Sequence, residues 1–503
     1  MDAQETINGS QVPQGRLTLC IVAFTLLGIA GFTLNASVYA HVSSYCGIAR
    51  EIATLVNAVA FLALFFMATR TPRLIDQRQL TTIGAGCALT AALILEFGLT
   101  LQVSWATIVG LIFASIASAW ASTVLVCAVA GLQSPRAALV SIACGMALGE
   151  IAAVAHPPVP CNIGTIETII CYLFSMLALY RAASPLFAAI QNAERPVVLE
   201  LANPESFLPP SSGLYLCTPL FSIATGYGLT FGEVDRAPAN IGISVAVIAG
   251  AALWLVLSHS SDKEDTLFSF CVLTVVGGFM VAPFMFLTDL ASANALLRIG
   301  VRCFDMLVWL VVIAVGARNP LALLPTFALV RALGALGTDI GAIAGHTTNE
   351  LIGVDSGMAA LITGCALFLF IAFLWTGFRS FSFHDAINGV VKVGDAVERA
   401  DSPLALVEGS RTTRDVEGSP ATVHQDPEPP TIEERCTAIG KTHGLTEREA
   451  EIFAFLARGR NGQFLMDHYV VSRNTVKSHI KHIYSKLGVH SQQELIDLVE
   501  HND

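Results

Sequence analysis

Long apolar segments fill most of this chain, and they constrain its fold more than any other feature. Apolar runs recur from residue 17 to residue 378, and a run of about 20 such residues is what an α-helix needs to cross a bilayer. Apolar residues make up 54 % of the 503 residues and charged residues only 13 %, whereas about a quarter of an ordinary soluble protein is charged. The sequence therefore predicts an all-α, polytopic membrane bundle over most of its length.

Twelve spans are predicted from the apolar runs. They lie near 17–40, 51–69, 80–101, 105–130, 137–156, 162–180, 213–232, 239–258, 267–288, 297–316, 320–344 and 355–378. The longest interruption, 181–212, divides them into two sets of six and suggests two halves of related fold. The first span is expected to be retained, because its apolar run is long and no Ala-x-Ala cleavage site closes it.

The loop cations predict how the bundle is oriented, because cytoplasmic loops of membrane proteins carry an excess of lysine and arginine. If residues 1–16 are cytoplasmic, ten loop cations fall on the cytoplasmic side and only Arg50, Arg236 and Arg298 fall outside. An even number of spans then places the C-terminus in the cytoplasm as well. The expected location is the cytoplasmic membrane of a bacterium.

Ionisable side chains inside spans are energetically costly and therefore mark candidate functional positions. The candidates for ligand binding are Glu96, Glu150, Arg302, Asp305, Arg331 and Asp339. Arg302 and Asp305 are three residues apart on one helix, so they either neutralise each other or contact a ligand. Glu96 and Glu150 either line a polar cavity or pair with Arg302 or Arg331.

Glycines and cysteines of the spans have simpler interpretations. The run Gly334, Gly337 and Gly341 is expected to let two helices approach closely. The twelve cysteines are scattered and form no CxxC pattern, and His479 and His482 have no third ligand nearby, so no metal or cofactor is expected. No nucleophile motif or phosphate-binding loop stands out, and the chain is not expected to be an enzyme.

The composition changes sharply after the last span. Residues 393–435 contain five prolines and ten acidic residues, with few large apolar side chains. Such a stretch is typical of a flexible linker, and the linker is predicted over 379–437. Its acidity serves solvation or, alternatively, competes with DNA for a basic surface of the domain that follows.

The last sixty or so residues have the periodicity of a small helical domain. In the string SRNTVKSHIKHIYSKLGV, residues 472–489, Val476, Ile480, Ile483 and Leu487 recur at the spacing of one buried helix face. Arg473, Lys477 and Lys481 recur every four residues on a neighbouring face. One face of this helix is predicted to pack, while the other is cationic.

Capping residues predict where the helices of this domain begin and end. Thr446 with Glu449 forms a capping box before an apolar run that ends at Gly459. Ser472 and Gly488 bound the cationic helix, and Ser491 precedes a last helix. With a short helix near 462–469, four helices are predicted between residues 438 and 503.

These residues resemble the LuxR-type (GerE-type) helix-turn-helix domains of bacterial regulators. The matching strings are LTEREAEIFAFLARGR at 445–460 and VSRNTVKSHIKHIYSKLGVHSQQELIDLV at 471–499. The resemblance implies that the third helix enters the major groove of double-stranded DNA and that the fourth often pairs two copies. By position it implies base contacts from Lys477, Ser478 and Lys481, and phosphate contacts near Arg473, Asn474 and Thr475.

The twelve spans in two sets of six, with a central loop, resemble the architecture of the major facilitator superfamily. No receiver domain or soluble ligand domain lies between the spans and the DNA-binding domain, so the input signal is expected to arrive through the spans, 17–378. The sequence predicts a membrane-bound, one-component transcriptional regulator that senses a small-molecule inducer and binds promoter DNA as a homodimer. The alternative is a transporter with a regulatory DNA-binding tail.

Overall fold

The structure, a computed structural model, falls into two compact units, Met1–Arg411 and Thr412–Asp503. It describes residues 14–132, 134–157, 159–192, 213–230, 241–260, 262–282, 290–352, 356–377, 381–388, 432–443 and 445–458, together with scattered positions between 480 and 499.

Twelve long helices build the described part of the first unit, and each coincides with one predicted span. They are α1 (Gln14–Val42), α2 (Ala49–Arg70), α3 (Gln77–Leu101), α4 (Ser104–Ala130), α5 (Pro135–Ala155), α6 (Cys161–Asn192), α7 (Gly213–Thr230), α8 (Ile241–Leu257), α9 (Lys263–Val281), α10 (Leu290–Arg318), α11 (Pro320–Ile352) and α12 (Ser356–Gly377). Among the described residues, nine of these helices are long and apolar enough to cross a membrane. The predicted fold class, an all-α polytopic bundle, is confirmed.

Local sequence chemistry sets several of the helix ends. The Asp76 side chain caps α3 by accepting a hydrogen bond from the backbone N–H of Arg78 at 2.8 Å. Ser134 caps α5 in the same way, and Pro135 stands at the first helical position, where its missing N–H costs nothing. Helix α3 ends at Gln102, whose backbone is left-handed with a φ of 52°. These caps separate consecutive spans with very short connections.

The packing of the helices repeats when every helix number is advanced by six. In the first half α1 packs on α5 and α3 on α4, while in the second half α7 packs on α11 and α9 on α10. The two main contacts between the halves are α2 with α11 and α8 with α5. Advancing each helix number by six, counted around the set of twelve, turns one of these contacts into the other. The bundle therefore consists of two six-helix halves related by pseudo-twofold symmetry, as the central interruption predicts.

Glycines make the closest helix contact of the bundle, between α7 and α11. A Cβ atom on Gly226 would collide with the backbone carbonyl oxygen of Thr338, and one on Gly341 would collide with that of Ile223. A Cβ atom on Gly337 would also come too close to the backbone of α7, at 2.5 Å from the carbonyl oxygen of Pro219. The predicted role of Gly337 and Gly341 in close approach agrees with this geometry, whereas Gly334 meets only ordinary contacts.

Two boundaries differ from the sequence prediction. Helix α6 continues to Asn192, so Arg181 lies in a helix rather than in the loop predicted from residue 181. Within the range predicted as linker, helix α13 (Phe383–Asn388) begins where Ser382 and the backbone N–H of Phe383 both donate to the Asp265 carboxylate. A polar anchor from a distant helix orders this short segment, and composition alone does not reveal such an anchor.

The second unit has its own apolar core. Its described helices are α14 (Ile432–Thr442) and α15 (Glu447–Ala457), and they pack on each other. The core side chains are Cys436, Ile439, Ile452, Phe453, Leu456, Ile483, Leu487, Leu495 and Val499. Of the predicted buried stripe, Ile483 and Leu487 are buried and Ile480 packs against them, while Val476 lies outside the described residues.

Helix α14 also lies partly within the range predicted as linker. Its buried residues Cys436 and Ile439 are three apart and contribute to the core, so folded structure begins before residue 438. The sequence analysis missed this short amphipathic helix because it directly follows a stretch rich in prolines and acidic residues. Its few buried apolar residues are too short a pattern to predict a helix.

Candidate functional sites

Glu150 of α5 is the centre of an ion-pair cluster that joins the two halves of the bundle. One carboxylate oxygen accepts a hydrogen bond from Arg298 at 2.5 Å, and the other accepts one from Nε of Arg302 at 2.8 Å. The Glu150 side chain is only 9 % exposed. Of the two alternatives open for Glu150, pairing with Arg302 is the one the structure contains, and Arg298 is an additional partner.

Arg302 and Asp305 do not pair with each other in the structure. Arg302 reaches across to α5, and Asp305 contacts Nη1 of Arg331 on α11 at a distance of 3.4 Å. That distance is long for a hydrogen bond of this type. Arg302 and Asp305 thus each contact a residue of another helix, although their spacing on α10 allows an internal pair.

A polar cavity of about 320 Å³ lies between the two halves. Arg302, Asp305 and Arg331 line it, as does Arg50 of α2. The remaining lining is mostly hydroxyl, amide and aromatic, from Asn35, Tyr39, Thr54, Asn57, Ser115, Ser118, Tyr172, Thr218, Phe221, Ser222, Thr225, Phe304 and Thr338. The volume is at the lower end of the range for small-molecule sites.

One end of the bundle carries ion pairs between the halves. We call it the ion-pair end, and it is the end at which α2 begins and α5 and α11 finish. There Oε1 of Glu51 on α2 lies 3.2 Å from Nε2 of His346 on α11. At the same end, Glu150 of α5 pairs with Arg298 of α10. Since each pair has one member in each half, both would break if the halves separated at this end.

Four aromatic side chains close the space on the opposite side of the cavity. Phe24 meets Trp309 with ring centroids 4.8 Å apart, Trp309 meets Phe327 at 5.4 Å, and Phe327 meets Phe61 at 5.6 Å. All four are at most 7 % exposed. We call this cluster the aromatic floor. It joins α1 and α2 of the first half to α10 and α11 of the second.

Besides Glu150, two of the six predicted ligand-binding residues are not part of the cavity lining. Glu96 is exposed near the end of α3, where it contacts Thr100 at 3.5 Å and Asn162 at 3.4 Å. Asp339 follows the lining residue Thr338 on α11 and is not itself part of the lining. The sequence predictions for ligand binding therefore converge on three lining residues and on Glu150, which contacts one of them.

Arg50 and Arg298 are the residues that the sequence reasoning placed elsewhere. Both were expected in outside loops, but Arg50 lies in α2 beside Tyr39, 5.5 Å from the centre of its ring, and Arg298 lies in α10. Their position in the sequence could have shown this. Each arginine lies within a few residues of an apolar run, and membrane helices commonly extend past the apolar part of a span.

The second unit holds its C-terminal segment in place through one buried carboxylate. Glu449 of α15 completes the predicted capping box with Thr446, and the box is present in the structure. In that box Oε2 of Glu449 accepts a hydrogen bond from the backbone N–H of Thr446, and it also accepts one from Nζ of Lys486 at 2.6 Å. The Lys486 contact, together with the backbone N–H of Thr446, lowers the pKa of Glu449 to about 2.

Lys486 belongs to the helical positions that follow the predicted DNA-contacting residues. The contact with Glu449 therefore ties that segment to α15, and Ile483 and Leu487 bury its apolar face. The six residues predicted to touch DNA, which are Arg473, Asn474, Thr475, Lys477, Ser478 and Lys481, lie outside the described residues.

Residues 443–499 match the family described as bacterial regulatory proteins, luxR family. The C-terminal domain is thus a LuxR-type helix-turn-helix domain, and such a domain implies binding to DNA. The resemblance inferred from the strings at 445–460 and 471–499 is confirmed.

Curated relatives match only a short part of this chain. The Fimbriae Z protein of Salmonella typhimurium (strain LT2) is 34 % identical over 59 residues, covering 12 % of this chain and 28 % of the relative. The Fimbriae Z protein of Escherichia coli (strain K12) is 42 % identical over 53 residues, covering 10 % and 25 %. The chain therefore spans about a quarter of the length of these relatives.

Solved structures of transporters share the helical architecture over most of the chain. The human organic anion transporter MFSD10 has a TM-score of 0.46 at 14 % identity, covering 73 % of this chain and 100 % of that one. The proton:xylose symporter XylE, of the major facilitator superfamily, has a TM-score of 0.47 at 12 % identity, covering 74 % and 98 %. The two-halved arrangement of this chain rests on its own helix packing, and these likenesses indicate nothing about a substrate.

Proposed function

We propose that this chain is a membrane-bound, one-component transcriptional regulator. Its membrane unit binds a small molecule in the cavity between the two halves, and its LuxR-type domain binds promoter DNA. The observation that carries the proposal is the presence, in one chain, of a DNA-binding domain and a membrane unit whose charged residues gather around a cavity. The proposal makes the membrane unit the input and the C-terminal domain the output.

The geometry of the cavity supplies a physical route for the signal. A ligand shifts an equilibrium between two packings of the helices only by as much as its affinity differs between them. Residues of both halves line this cavity, so a ligand there contacts both at once and favours the packing that best surrounds it. The ion pairs and the aromatic floor are contacts between the halves that such a change would remake.

Topology and assembly follow from the same proposal. The excess of loop cations on one side favours cytoplasmic N- and C-termini in the inner membrane of a bacterium, and this orientation lets the C-terminal domain reach DNA. The ion-pair end then faces outward. Two copies are expected to bind adjacent half-sites.

The decisive experiment isolates DNA fragments on the full-length protein. The purified protein in lipid nanodiscs would be mixed with sheared genomic DNA of its own organism, and bound fragments would be sequenced. A small set of enriched promoter fragments is expected, and Lys477→Ala should lose that enrichment. A reporter driven by an enriched promoter should respond to an inducer only when residues 1–380 are present, and regulation that survives their deletion would refute the sensing role.

A transporter that also regulates is the second candidate. It is favoured by the placement of the cavity between two symmetric halves, because alternating contacts at the two ends of such a bundle expose a central site to each side in turn. Uptake of a labelled inducer into vesicles that depends on Arg302 would support transport. Inducer binding without uptake would leave sensing alone.

A further inference from the structure

The charged side chains that line the cavity are unequal in sign. Three are arginines, Arg50, Arg302 and Arg331, and one is a carboxylate, Asp305. Glu51 engages His346 at the ion-pair end and is not part of the lining. Guanidinium groups stay charged at any physiological pH, so three fixed positive charges line the cavity, with the carboxylate of Glu150 next to Arg302 and that of Asp305 near Arg331.

Glu150 orients the Arg302 side chain through Nε, and the two terminal nitrogens of Arg302 do not take part in that contact. Its contact with Glu150 uses Nε, and among the described residues no hydrogen bond is made by its two terminal nitrogens. The Arg302 side chain is 46 % exposed, although it lies inside a helical bundle. A guanidinium presented in this way has two parallel N–H donors for a ligand, which is the geometry that matches a carboxylate or a phosphate.

Arg331 offers a second such group on the facing helix. Among the described residues its ion-pair partner is Asp305, at a distance of 3.4 Å that leaves the contact weak, and its side chain is 37 % exposed. Two partly compensated guanidinium groups within a low-dielectric bundle are costly unless an anion joins them. A cationic ligand would increase that cost, since only one carboxylate lines the cavity.

The rest of the lining suits an organic molecule. Phe221 and Phe304 stack on each other with ring centroids 4.0 Å apart, and this buried pair supports the apolar part of the lining. Hydroxyl groups of serines and threonines, together with Tyr39 and Tyr172, surround the remaining space. The site therefore combines charged anchors, hydrogen-bonding groups and an aromatic surface, the features that select small organic ligands.

From these contacts we propose that the cavity binds a small organic anion, with its carboxylate or phosphate group bound between Arg302 and Arg331 and its body in the remaining part of the cavity. Glu150 acts as a positioning residue that orients Arg302 and does not touch the ligand. This inference rests on the proposed function and names the class of inducer.

The test measures thermal unfolding of the purified full-length protein with a matched compound panel. Several carbon skeletons, aromatic and aliphatic, would each be offered as the carboxylate, the phosphate ester, the amine and the neutral amide. At least one carboxylate or phosphate is expected to raise Tm by about 3 °C or more at saturation, because a ligand that binds only the folded state stabilises it. Comparing the carboxylate with the phosphate ester of each skeleton shows which of the two anionic groups the site binds. Stabilisation by amines or amides alone, or by no compound, would overturn the inference.

Variants place the ligand at the proposed site. Arg302→Gln should abolish the Tm increase. Arg302→Lys should retain part of it, because lysine keeps the positive charge but lacks the two parallel N–H donors of a guanidinium group. Arg78→Gln is the matched control, since Arg78 is exposed outside the cavity and the charge change is the same. An increase that persists in Arg302→Gln would refute the site. If that variant fails to fold, hydrogen exchange on the unaltered protein must show ligand protection in α10 and α11, and protection elsewhere would equally refute it.

Two outcomes separate this inference from the proposed function. If an organic anion binds and leaves both DNA enrichment and reporter output unchanged, the ligand class stands and the sensing role fails. If a neutral or cationic compound binds and changes reporter output, sensing stands and the anion inference fails.

Discussion

The contact between Glu449 and Lys486 allows one prediction to be worked out quantitatively. Replacing Glu449 by Gln keeps a side chain that can complete the capping box, because Gln serves at this position as well as Glu. It removes only the negative charge that Lys486 contacts at 2.6 Å. The substitution therefore measures the stabilisation that the charge receives from Lys486 and, to a smaller extent, from Thr446.

The magnitude follows from the lowered pKa of Glu449. A carboxyl pKa that falls from 4.5 to about 2 on folding corresponds to about 3 kcal/mol of stability at neutral pH. Because the Lys486 side chain is 35 % exposed, solvent screening reduces the expected loss to about 2 kcal/mol. Such a loss is a large share of the stability of a small domain.

The assay is urea unfolding of residues 412–503, followed by far-UV circular dichroism. This segment has its own apolar core and is expected to fold alone. Glu451→Gln is the matched control: Glu451 is on the same helix, is 56 % exposed, and pairs with Arg448 across one helical turn, a contact worth about 0.5 kcal/mol or less. Equal destabilisation by both substitutions would refute the argument.

The pH dependence gives the same prediction an independent check. A group whose pKa is lowered on folding contributes its stability above its unfolded pKa and loses it as the pH falls toward the folded value. The advantage of the natural sequence over Glu449→Gln should therefore be complete above about pH 5 and should vanish as the pH approaches 2. A difference that stays constant over this range would show that the charge is not its source.

Three further predictions concern the DNA contact and the membrane unit. Lys477→Ala should abolish specific DNA binding with unchanged helical content, and unaltered affinity in a gel-shift assay would contradict the assigned role. Gly341→Ala should sharply lower the yield of folded protein, because its Cβ would meet the backbone of α7, whereas Gly250→Ala has open space and should be neutral. Glu150→Gln should destabilise the bundle by about 3 kcal/mol, because it leaves two arginines without their buried partner, and Glu96→Gln, an exposed matched control, should leave Tm unchanged in thermal unfolding.

Much of the fold could be predicted because it depends on local sequence. An apolar run of sufficient length must become a helix in a bilayer, where unpaired backbone groups are too costly. Each of the twelve predicted spans accordingly falls on a helix, and nine of the described helices are long and apolar enough to cross a membrane. The Thr446 and Glu449 box was also predictable, since both partners lie within one helical turn. The short helices α13 and α14 were missed because their order depends on distant partners, Asp265 for one and the core around Phe453 for the other.

The candidate site was predictable only in part. Charges inside spans are rare, and this rarity pointed to Arg302, Asp305, Arg331 and Glu150. Spacing along one helix suggested that Arg302 and Asp305 neutralise each other, but each reaches a residue on another helix instead. Arg50 escaped attention because its place at the edge of an apolar run reads as a loop.

The sequence by itself determined the helices of the membrane unit, the charge that marks its interior and the kind of domain that follows it, because each of these depends on neighbouring residues or on a continuous motif. Only the tertiary structure decided which charges meet, that Glu150 orients Arg302, and that three arginines face one cavity with a single carboxylate. Those relations join residues on different helices, some of them more than a hundred positions apart as Glu150 and Arg302 are, and their geometry is set by how the helices pack, which no local pattern encodes.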